Sequence, residues 1–201
     1  MVDELIIYIS AAPDLNHERD MLGRLIAEVP VTLGWRIVQS STQGNPVNIE
    51  AIRTANIHLL LLGSDIRAPI GLEWLIARQS HRTPVLLLKQ GILRTPAAND
   101  FVRRVGDQDT WQTFKSSADL HNKVQLLIAE HLLSHTNLYA IKGDEKARLQ
   151  EWFKELETHP EIAVDESQGG AGESGVIISP ERYVPREGVL LKPRQDDTQV
   201  D

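Results

Sequence analysis

One stretch constrains this chain more than any other: Ile57–Ala77, which reads I-H-L-L-L-L-G-S-D-I-R-A-P-I-G-L-E-W-L-I-A. Its first six residues are apolar apart from His58 and show no alternation. A strand patterned in this way is buried on both faces, so it needs a layer of helices above and another below. Gly63-Ser64-Asp65 ends the run, a short loop follows, and a helix predicted over Ile70–Ser80 carries one acidic residue, Glu73, near its start. Strand followed by helix is half of a parallel crossover unit.

The same alternation of elements runs through the rest of the chain. Leu5–Ser10 reads as the first strand, and Asp14 stands where a helix N-cap is expected, ahead of Leu15, Leu22, Leu25, Ile26 and Val29 at helical spacing. Trp35–Ser40 alternates polar and apolar residues, as an edge strand does. Ser41–Val47 is a loop leading to a short helix over about Asn48–Ala55. Val85–Lys89 is another buried strand. A helix is expected after Pro96, a short fifth strand at Trp111–Phe114, and an amphipathic helix over Ser117–Leu133. The expected fold is a three-layer α/β domain over residues 1–135, with a parallel sheet of about five strands in the order 2-1-3-4-5.

Two segments follow. Residues 136–158 are read as an accessory helix, Asp144–Glu157, whose stripe of Leu149, Trp152, Phe153 and Leu156 must dock on this domain or on a partner. Residues 159–201 form an acidic tail with Q-G-G-A-G-E-S-G and four prolines, expected to be flexible or to act as a linker. Val176-Ile177-Ile178 and Val189-Leu190-Leu191 within it are short apolar anchors suited to a sheet edge, or merely parts of an extended linker.

Composition narrows the function classes. The chain lacks cysteine, which removes disulfides, thiolate metal sites and cysteine nucleophiles and fits a reducing compartment. Its N-terminus, M-V-D-E-L, is acidic where a signal peptide is basic, and no apolar run is long enough to span a bilayer. The expectation is a cytoplasmic protein that binds no membrane. The net charge of −7 is unevenly placed: Met1–Tyr139 has 13 Lys+Arg against 14 Asp+Glu, while His159–Asp201 has 4 against 9. Without a basic stripe, and with three Phe and three Tyr, nucleic acid is not an expected partner. His131 and His135 have the i, i+4 spacing of metal ligands, but placement at the end of a helix explains them better, and no metal or cofactor is expected.

In the order 2-1-3-4-5 the direction of winding reverses between strands 1 and 3, and ligands bind outside the carboxyl ends of strands at such a point. The loops there are Ser10–Pro13 and Gly63–Pro69, and Glu73 stands just beyond the second. Neither G-x-G-x-x-G nor G-x-x-x-x-G-K-S/T occurs in the chain, which argues against a Rossmann dehydrogenase or a P-loop NTPase. Glu73 is read either as a catalytic carboxylate or as an acidic residue that only favours the helix dipole. Asp14 is a cap or a ligand contact, Glu18 and Arg19 belong to a helix-face ion network, and Arg67 binds an anion or faces solvent. Ser40-Ser41 shows no nucleophile-elbow pattern.

The opening I-Y-I-S-A-A-P-D-L-N-H-E-R resembles that of a TIR-like family of bacterial domains, often fused to STAND-type NTPases, which begins with an apolar strand followed by S-S-x-x-D-L-x-x-E-R. Ser10, Asp14, Leu15, Glu18 and Arg19 match, and Ala11 replaces the second serine. The G-x-E-W-x-x-A segment around Glu73 is similar to the same family and, more loosely, to TIR domains and nucleoside 2-deoxyribosyltransferases. The resemblance covers about Leu5–Leu133 and implies a flavodoxin/TIR-like fold in a signalling or defence system. It also implies action on the N-glycosidic bond of NAD or a related nucleotide, with Glu73 catalytic and Ser10, Asp14, Ser64, Asp65, Arg67 and Trp74 around the ligand. NAD or a nucleotide would be substrate, not cofactor. The serine-tryptophan-cysteine arrangement that precedes the glutamate in TIR domains is missing here, and Trp74 follows Glu73 instead. The same resemblance leaves open a non-catalytic module that assembles with protein partners or with itself, and a deoxyribosyltransferase-like enzyme.

Overall fold

The computed structural model describes residues 4–40, 46–66 and 69–158. The tail beyond 158, with its two apolar anchors, and Arg67 lie outside the described residues.

Five strands form one parallel sheet in the order β2-β1-β3-β4-β5: β1 (Leu5–Ala11), β2 (Trp35–Gln39), β3 (Ile57–Leu62), β4 (Val85–Lys89) and β5 (Trp111–Phe114). Among the described residues six α-helices accompany them: α1 (Asn16–Leu25), α2 (Ile49–Thr54), α3 (Ile70–Gln79), α4 (Pro96–Gly106), α5 (Ser117–Ser134) and α6 (Gly143–Thr158). The fold is thus the α/β arrangement expected from the strand spacing, with the segment after Pro96 resolved as a helix. Among the described residues no helix is long and apolar enough to cross a membrane.

Strand register explains the sequence pattern. Ile9 pairs with Leu59, Leu60 with Leu86 and Leu87 with Gln112, so β3 is flanked on both sides. All six of its residues are buried, which accounts for its lack of alternation. By contrast β2 pairs only with β1 in the sheet, and its Trp35 is 45% exposed.

Alternation within each strand divides the core by face. Ile7, Ile9, Leu59, Leu61 and Leu87 meet Leu22 and Leu25 of α1 and Leu120, Val124 and Ile128 of α5 on one side. Tyr8, Leu60 and Leu86 point to the other, toward Ile52 of α2, Ile70, Ile76 and Ala77 of α3, and Val105 of α4.

Leu149, Trp152 and Phe153 of the α6 stripe dock on this domain. Leu149 is fully buried among the α1 and α5 side chains, with Trp152 and Phe153 packed against the same cluster. Glu145 fixes the start of α6: its carboxylate accepts the Thr32 N–H at 2.9 Å and the Lys142 N–H at 3.1 Å. These bonds, that from Thr32 first, hold its pKa below the ordinary carboxylate value. His131 and His135 are part of the same junction. Their rings stack at 4.5 Å, and His131 Nε2 lies 2.8 Å from the Tyr139 hydroxyl. Burial, aided by His135, lowers the His131 pKa to about 4, so the imidazole is neutral at neutral pH.

Candidate functional site

On the sheet face covered by α2 and α3, strand alternation places Tyr8 and Ser10 of β1 beside His58 of β3, and Ser40 follows directly on β2. Glu73 is the fourth residue of α3 and is fully buried against them. The Tyr8 hydroxyl donates to Glu73 Oε1 at 2.7 Å, and the Ser40 hydroxyl donates to Glu73 Oε2 at 2.8 Å. Ser40 is itself held by the Ala11 backbone N–H, which donates to its Oγ at 3.3 Å. Each carboxylate oxygen therefore meets a hydroxyl donor, and among the described residues no cation pairs with it. Burial of a carboxylate with only neutral donors is costly, which is why such groups concentrate at functional sites.

Burial and then the neighbouring Glu73 carboxylate push the Tyr8 pKa up, which favours the protonated, donating hydroxyl. The edge of its ring system meets His58 at a centroid distance of 5.1 Å and an interplanar angle of 85°. Burial lowers the His58 pKa to about 4, and its Nε2 lies 2.8 Å from Ser10 Oγ. His58 Nδ1 is buried with no hydrogen-bond partner among the described residues. Ser10 and His58 thus continue the polar cluster inward along the sheet.

A second group ties together the loops at the carboxyl ends of the strands. Ser64 donates through both its N–H and its hydroxyl to Asp14 Oδ2, each at 2.7 Å. The loops after β1 and β3 therefore face each other, as the strand order requires. On the far side the Thr95 hydroxyl donates to Asp65 Oδ1 at 2.7 Å, and the Thr95 N–H donates to Ser64 O at 2.9 Å. Gly63 is forced by this arrangement, since a Cβ there would overlap the Asp14 carboxylate.

Asp14 does not cap a helix. Pro13 begins a 3-10 turn over Pro13–Leu15, and the N-cap of α1 is Leu15, which makes no side-chain cap bond. The turn leaves the Asp14 carboxylate to Ser64, where two charge-assisted bonds are available. Glu18 and Arg19 separate as well. Glu18 is buried and pairs with Lys89 Nζ at 2.5 Å, while Arg19 pairs with Asp20 at 3.1 Å. Trp74 turns away from Glu73, because consecutive helical residues point about 100° apart. It packs with Phe101 of α4 at 5.8 Å, and its indole N–H is buried with no partner among the described residues.

The structure thus joins Glu73 with Tyr8 and Ser40 and joins Asp14 with Ser64, while Trp74 belongs to a different face of α3. Tyr8, Ser40 and His58 join this cluster although no motif marks them as site residues. Their signal was present in the period-2 pattern: Tyr8 and Ser10 are polar positions on one face of β1, and His58 interrupts the apolar run of β3 on the same face. Comparison of the chain with protein-family models, curated proteins and solved structures gives no match.

Proposed function

We propose that the chain is a TIR-like domain of a bacterial signalling or defence system that cleaves the N-glycosidic bond of NAD or a related nucleotide, with Glu73 as the catalytic carboxylate. The observation that carries this reading is the seating of buried Glu73 between the hydroxyls of Tyr8 on β1 and Ser40 directly after β2. Cleavage of a C1–N bond leaves positive charge on the sugar, and a fixed carboxylate stabilises that charge or captures the sugar covalently. Tyr8, held protonated, orients one oxygen without competing for a proton. Ser40 occupies the other oxygen, so substrate must displace its hydroxyl to reach the carboxylate. The test is incubation of the protein, dilute and crowded to promote assembly, with NAD and a panel of nucleosides, followed by assay for released base. Release from NAD supports the reading, release from deoxynucleosides alone moves it to a deoxyribosyltransferase-like enzyme, and no release overturns both.

A second reading follows from the complete burial of Glu73. In it the glutamate is a polar staple joining α3 to β1 and β2, and the domain is a non-catalytic module that assembles with protein partners. Under this reading removal of the charge changes stability and leaves partner binding intact.

A further inference from the structure

We draw no further inference here: the strongest candidate, the groove of about 90 Å³ beside edge strand β2 lined by Ile26, Val29, Val31, Leu33 and Trp35, is a surface cleft for which nothing in the structure shows what covers it.

Discussion

The Tyr8 hydroxyl donates to Glu73 Oε1 at 2.7 Å, joining the first strand of the sheet to a helix 65 residues further along the chain. Removing a donor from a buried carboxylate leaves an acceptor under-satisfied, at a cost of about 1–3 kcal/mol. Tyr8→Phe keeps the ring and its edge contact with His58 while deleting that donor. Urea unfolding of Tyr8→Phe is expected to show a loss in this range. An unchanged midpoint and slope would mean that the bond contributes nothing to the fold.

Glu73→Gln preserves the shape of the side chain and removes its charge. If the carboxylate stabilises a developing sugar cation, turnover of NAD falls about 100- to 1000-fold, the effect of losing one major transition-state contact. Circular dichroism of the variant should still report a folded domain. Wild-type release of nicotinamide that persists at full rate in Glu73→Gln would assign the chemistry to another residue.

Gly63 and Asp14 are coupled by space. Gly63→Ala drives a methyl group into the Asp14 carboxylate, and overpacking of this kind costs about 1–3 kcal/mol. Asp14→Ala added to Gly63→Ala removes the overlapping atoms, although Leu15 remains 3.1 Å from the new Cβ. A double-mutant cycle followed by thermal melting should show partial recovery, with the two substitutions together less harmful than their sum. Strict additivity would contradict the close approach.

Buried His58 and half-buried His131 set a pH dependence. His58 and His131 titrate near 4 in the folded protein and near the ordinary 6.5 when unfolded. The unfolded chain therefore binds more protons between these values, so stability is full above about 6.5 and falls as the pH drops toward about 4. Below that the contribution of these two groups levels off. Unfolding free energies measured from pH 7 to 4 should follow this course, and His131→Phe should flatten roughly half of the slope. A stability that rises on acidification through this window would contradict the lowered pKa of both rings.

Leu149 anchors α6 in the same core as α1 and α5. Leu149→Ala is expected to destabilise the protein by about 2–5 kcal/mol, the usual cost of truncating a fully buried leucine. Trp152→Ala, at a partly buried position, should cost less. Sedimentation should remain unchanged for both, since Leu149 and Trp152 pack within the chain. Melting temperatures equal to that of the wild type would show that α6 is not held by these contacts.

Particular elements show how far the sequence could be read. The unbroken I-H-L-L-L-L run located β3 because burial on both faces removes the need for polar alternation. Trp35–Ser40 was legible as an edge strand for the opposite reason. Asp14 misled, because a capping residue and a cross-loop anchor have the same sequence signature, and only the path of the chain after Pro13 separates them. Trp74 faces Phe101 and not Glu73, because adjacency in sequence is not adjacency on a helix.

By itself the sequence determined the strand–helix alternation, the parallel sheet order and the position of Glu73 at the start of α3, since all three follow from local periodicity and from short, right-handed connections. The partners of that glutamate were decided only by tertiary structure. Tyr8 lies on β1, Ser40 directly after β2 and Glu73 on α3, and the two hydroxyls reach the carboxylate because β1 stands between β2 and β3 while α3 packs across that face. Hydrogen bonding acts over about 3 Å, a distance that chain spacing cannot specify and packing can.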